Sequence, residues 1–116
     1  MIAVIQCAAR KRCDAGRMVT RDGRPVEFVA DPRAAPHDQS RVYARPDDVA
    51  FSGKSWRQLV SDYNKAPGNN PLGLYPAYEL YKNGAYRRLV NCFGIPSVFI
   101  LSAGWGLITA DFLIPH

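Results

Sequence analysis

Two short apolar runs near opposite ends of the chain, Ile2-Ala3-Val4-Ile5-Gln6-Cys7 and Ser97-Val98-Phe99-Ile100-Leu101-Ser102, restrict its folds more than any other feature. Both are rich in β-branched and apolar residues without polar alternation, the pattern of strands buried on both faces of a sheet. The first is expected as a central strand and the second as its buried companion. Between them, Ser55-Trp56-Arg57-Gln58 has the form of a capping box and predicts a helix from about Trp56 to Lys65. Trp56, Leu59, Val60 and Tyr63 mark its buried face at helical spacing. Pro76 to Lys82 reads as a short helix stopped or kinked at Asn83-Gly84, and Ala85 to Phe93 as another closed by Gly94, with Leu89, Val90 and Phe93 inward. Met18-Val19-Thr20 and Pro25 to Val29 flank the turn-forming Arg21-Asp22-Gly23-Arg24 and predict a β-hairpin. Ala30 to Val49, with three prolines, reads as an irregular surface excursion, and Leu107 to Ile114 as a last apolar stretch. The expected class is α/β or α+β, a mixed central sheet with helices packed on it.

A chain of 116 residues fits one domain, here 1–116, with room for a core that needs neither metal nor disulfides. Cys7, Cys13 and Cys92 are odd in number and lack the paired spacing of zinc ligands, so free thiols in a reducing compartment are expected. His37 and His116 form no spaced pair, and no Walker, HExxH or GxSxG pattern occurs. No metal or cofactor is expected. No apolar run approaches the ~20 residues of a membrane span, and the N-terminal run precedes its positive charges, the reverse of a secretory signal. A cytoplasmic protein without a membrane partner is expected. The chain ends on Phe112-Leu113-Ile114-Pro115-His116 with no polar tail, which predicts either further chain beyond it or a protein partner covering this end.

The net charge is +5, and Arg10, Lys11, Arg12, Arg17, Arg21 and Arg24 outnumber Asp14 and Asp22 in one stretch. Such a run is either a solvated loop or an anion-facing surface, and Arg10, Arg12, Lys82, Arg87 and Arg88 are the candidate nucleic-acid contacts. Each apolar strand is followed by a loop, Cys7 to Lys11 and Ser102 to Leu107. If the strands are parallel neighbours, both loops emerge where open α/β sheets bind ligands. Gly104 and Gly106 permit positive φ, so amides of the turn are candidates for holding phosphate or carboxylate, beside a purely structural turn. Trp105 either stacks on a base or plugs the core. Lys11 is a surface cation, a phosphate ligand or an amine nucleophile, and Cys7 a packed or a reactive thiol.

Ile100-Leu101-Ser102-Ala103-Gly104-Trp105-Gly106-Leu107-Ile108, then Asp111 and Ile114-Pro115, resembles the hallmark segment of the YaaA-like family. Glu79-Leu80-Tyr81-Lys82 and Tyr86-Arg87-Arg88 are similar to its Leu-Tyr and aromatic-Arg/Lys helices. Cys7-x-x-x-Lys11 resembles its first loop and the corresponding element of the archaeosine synthase domain. Gly104 departs from the lysine of many relatives, and His116 stands where tyrosine is usual. The resemblance implies a fold distantly similar to uracil-DNA glycosylases and a role in nucleic-acid binding, oxidative-stress protection or base modification. Two functions follow. One is an enzyme on a base of DNA or RNA, with Lys11, Asp111 and Cys7 as catalytic groups and Ser102, Gly104, Trp105, Gly106 and Tyr81 around the substrate. The other is a non-catalytic nucleic-acid-binding or stress-response module using the same surface.

Overall fold

The computed structural model describes residues 1–116. Its two apolar runs become parallel neighbours: β1 (Ala3–Gln6) pairs with the later strand β7 (Val98–Ser102), with Ala3 opposite Val98 and Gln6 opposite Leu101. The remaining strands in chain order are β2 (Val26–Phe28), β3 (Val42–Ala44), β4 (Val49–Phe51), β5 (Lys54–Ser55), β6 (Tyr75–Pro76), β8 (Gly106–Thr109) and β9 (Leu113–Ile114). The helices are α1 (Trp56–Lys65), α2 (Ala77–Leu80) and α3 (Gly84–Phe93). β8 returns antiparallel beside β7, giving a mixed sheet in the order β1-β7-β8, and three two-stranded ladders complete a mixed α/β fold.

The central strand is β7, not the first run. β1 lies at the sheet edge, and its side chains alternate: Ile5 packs toward the core while Val4 is 60% exposed. The reason is that α2 and α3 cover one face only; Ile5, Ile100 and Ile108 lie on that face, and Val4, Leu101 and Leu107 on the uncovered one. An unbroken apolar run therefore mistook a half-covered sheet for a doubly covered one.

The predicted α1 forms with the expected bounds, because Ser55 caps it: its Oγ accepts the Gln58 amide at 3.2 Å. Trp56 and Val60 are buried, and Leu59 and Tyr63 pack beside them. Asn83 is a start signal rather than a stop. Its side chain accepts the Ala85 amide at 2.9 Å and opens α3, whose buried residue is Tyr86; Leu89 and Val90 are half-buried, and Phe93 is exposed, contrary to the inward face expected. Gly94 ends α3 at φ +83°, a region costly for any side chain. The stretch 76–82 yields only the single turn of α2. Of the predicted hairpin, the tip and the pairing as far as Met18 and Val26 form, with Thr20 N donating to Arg24 O and Val26 N to Met18 O, and β2 also pairs in parallel with β3.

Two hydrophobic clusters make up the core. Ala77, Leu80, Tyr81, Tyr86, Ile100, Ile108 and Ile114 form one under the mixed sheet; Met18, Val26, Ala44, Trp56, Val60 and Leu74 form the other around α1. Trp105 and Phe112 touch both. The apolar C-terminal segment is covered by this chain itself: β9 pairs with β6, Ile114 and Pro115 are buried, and the His116 amide donates to Gly16 O. No helix is long and apolar enough to cross a membrane.

Candidate functional site

Because β1 and β7 run in parallel, the loops leaving their carboxyl ends meet. The Cys7 amide donates to Leu101 O at 2.9 Å, and the Ala103 amide donates to Cys7 Sγ at 3.4 Å. An antiparallel bridge between Lys11 and Tyr81 then ties the first loop to the end of α2. These contacts form one side of a cleft of about 560 Å³. The opposite side comes from the middle of the chain: Phe28 to Ala30 after β2, Arg45 to Asp47 after β3, and Arg57 on α1. The volume falls within the range typical of small-molecule clefts.

Of the residues anticipated from sequence, Cys7, Lys11, Tyr81, Ser102, Gly104 and Trp105 line this cleft. Lys11 has neither an ion pair nor a side-chain hydrogen bond, unlike Lys54, which pairs with Asp62 at 2.7 Å. Burial pushes the Lys11 ammonium below its ordinary value, with Cys7 and Glu27 opposing that shift and Arg17 adding to it. Burial likewise pushes the Tyr81 phenol up to about 12, so its hydroxyl remains protonated at neutral pH and donates to Ser102. It lies 3.5 Å from Ser102 Oγ, which in turn accepts the Trp105 amide at 3.2 Å.

Trp105 packs against the core and also lines the cleft. Its ring meets Phe28 edge-on at 4.9 Å and contacts both core clusters, yet it is only half-buried and forms part of the cleft wall. Arg57 fixes the turn beside it: one amino group donates to Gly104 O at 2.8 Å, Nε donates to Asp47 at 2.7 Å, and the guanidinium lies 5.9 Å from the Trp105 ring centre. The same contact holds the Asp47 carboxyl below the usual carboxylate range. Arg45, Asp47 and Arg57 were not anticipated. They lie in an excursion without periodicity and on a helix whose apolar face drew attention elsewhere; the position of Arg57 inside the Ser55–Gln58 cap, two residues after the capping serine, was the available clue that it sits at a helix start.

The turn glycines differ from expectation. Gly106 adopts φ +76°, but Gly104 has no positive φ, and the Ala103 and Trp105 amides are engaged inside the chain rather than free for an anion. Gly106 and Asp111 are not among the cleft residues; Asp111 is exposed in the turn between β8 and β9. The basic residues divide into two sets. Arg12 pairs with Asp14 and lies over the Tyr75 ring, and Arg87 stands 3.9 Å from Glu79. Arg10, Lys82 and Arg88 have no acidic partner, and Lys82 N donates to Arg10 O immediately beside the Lys11–Tyr81 bridge. His116 Nδ1 lies 2.9 Å from an Arg17 amino group, which can only donate; burial and Arg17 depress the ring's pKa, so it accepts as neutral imidazole. No three His, Cys, Asp or Glu side chains come together in a group that would hold a metal ion. Comparison with protein-family models, curated proteins and solved structures finds no match.

Proposed function

We propose that the cleft receives a base of DNA or RNA and that the protein processes or modifies it. The observation that carries this reading is the joint placement of Lys11, Tyr81 and Ser102 on one wall of a single cleft with the half-exposed Trp105 indole. The indole supplies an apolar surface for a planar ring, the hydroxyls supply donors and acceptors for its polar edge, and Lys11 supplies an amine. Arg10 and Lys82, unpaired and adjacent in sequence to the lining residues Lys11 and Tyr81, are suited to the phosphates flanking an inserted base. The resemblance to YaaA-like proteins, and through it a distant relation to uracil-DNA glycosylases, belongs with this reading.

One observation favours the non-catalytic alternative, a nucleic-acid-binding or stress-response module. Asp111 lies outside the cleft, and the carboxylate that does line it, Asp47, is held by Arg57. A base-modifying reaction therefore relies on Lys11 and Cys7 rather than on a free carboxylate.

Fluorescence anisotropy of labelled single- and double-stranded oligonucleotides across a salt series tests the reading. Affinity is expected to fall with salt, and the double variant Arg10→Ala/Lys82→Ala to flatten the slope of log K against log salt by about 1–2, since each phosphate contact contributes about 0.7–0.9. Nucleoside mass spectrometry after incubation separates enzyme from binder. Absence of salt-dependent binding, or a slope unchanged in the double variant, contradicts the proposed interface.

A further inference from the structure

We propose that Lys11 forms an imine with an aldehyde carried next to a phosphate, the chemistry shared by an abasic sugar in DNA and a free aldose phosphate. The inference rests on the same cleft as the proposed function but names a reacting atom and a substrate class. Lys11 lines the cleft, and its Nζ has no carboxylate or hydrogen-bond partner in the chain that a carbonyl compound would have to displace. The other lysines differ: Lys54 is paired with Asp62, and Lys65 and Lys82 are fully on the surface. Burial favours the uncharged amine at Lys11, the form that attacks a carbonyl.

The neighbouring groups suit the proton movements. Nζ bonds to the carbonyl carbon as the C=O π pair moves to oxygen; one amine proton passes to that oxygen, giving a carbinolamine. The C–O bond then breaks, and the second amine proton leaves with the hydroxyl as water. The products are one imine and one water, with no oxidant or reductant consumed. Tyr81, whose hydroxyl is protonated at neutral pH, and Cys7 line the same cleft as Lys11 and are the side chains assigned to relay these protons. Arg45 on the far wall, exposed and joined to Asp48 only by a surface pair, is the guanidinium available to a phosphate on the bound aldehyde.

The test is reductive trapping with sodium cyanoborohydride, followed by intact-protein and peptide mass spectrometry. Three probes are used: an oligonucleotide with one abasic site, the same oligonucleotide with an intact base, and ribose 5-phosphate. The expected result is a reductant-dependent adduct mapped to Lys11 with an aldehyde probe and none with the intact oligonucleotide. Lys11→Arg should abolish it with an unchanged melting curve, and peptide mapping of the wild-type protein identifies the modified amine even if that variant folds poorly. An adduct at Lys11 from ribose 5-phosphate alone, without oligonucleotide binding, supports the imine and removes the nucleic-acid reading. Oligonucleotide binding without a Lys11 adduct from either aldehyde overturns the imine and leaves that reading standing. Labelling of Lys54, Lys65, Lys82 and the exposed N-terminal amine as readily as Lys11 also overturns it.

Discussion

Trp105 shows how one side chain packs between two core clusters and lines a cleft at the same time. Its edge-on contact with Phe28 and its contacts with both core clusters make it a wedge between them, while its remaining surface forms the cleft wall. A fully buried tryptophan loses about 3–5 kcal/mol on truncation to alanine. Because Trp105 keeps part of its surface in solvent, Trp105→Ala should cost less, about 2–3 kcal/mol, in chemical denaturation. Trp105→Phe retains an aromatic face and should recover at least half of that loss. A cost near zero would mean that the indole does not join the two clusters. Gly16 illustrates the opposite demand, for absence: a Cβ there would lie 1.8 Å from Leu72 O, so the loop before Met18 passes the 72–73 backbone at a distance only glycine permits.

Among the elements, α1 is fastened to the C-terminal strand by a residue that no hydrophobic pattern marks. Asn64 donates to Val60 O and Leu113 O, at 2.9 and 2.8 Å, and accepts the Leu113 amide at 2.7 Å. Asn64→Ala leaves both polar groups of Leu113 without that partner, a loss of about 1–3 kcal/mol, whereas a substitution at the exposed Gln58 should stay within about 0.5 kcal/mol. Urea denaturation of the two variants checks the contrast; equal stabilities would show that the α1–β9 junction does not depend on this side chain. Elements set by local chemistry were legible in the sequence: the Ser55 cap gave α1, Gly94 ended α3, and the two apolar runs gave β1 and β7. Those set by distant partners were not. Whether β1 was central depended on which face the helices cover, and β2 also pairs with a strand in the irregular excursion. Half of the cleft wall was likewise visible, the half in the two post-strand loops; Arg45, Asp47 and Arg57 reach it only through tertiary folding.

For the whole molecule, parallel pairing of two strands from opposite ends of the chain fixes where the cleft forms. The pairing sets the Cys7–Lys11 and Ser102–Trp105 loops side by side, and the 26–57 region closes over them with its aromatic and guanidinium groups. The positive charge is not uniform, since most arginines are matched by nearby carboxylates while Arg10, Arg21 and Arg88, with Lys11, Lys65 and Lys82, are not. Two of these free cations, Arg10 and Lys82, flank the Lys11–Tyr81 bridge, and under the proposed function a polyanion should enter from that side. The most direct measurement of the central claim is a titration of the two tryptophan indole N–H resonances with a short single-stranded oligonucleotide. Trp56, 4% exposed in the α1 cluster, serves as the internal reference for Trp105 in the cleft. The account predicts that the Trp105 indole shifts and saturates along the binding curve while Trp56 stays in place, and that Lys11→Ala retains the shift. Binding that leaves the Trp105 resonance unmoved would contradict it.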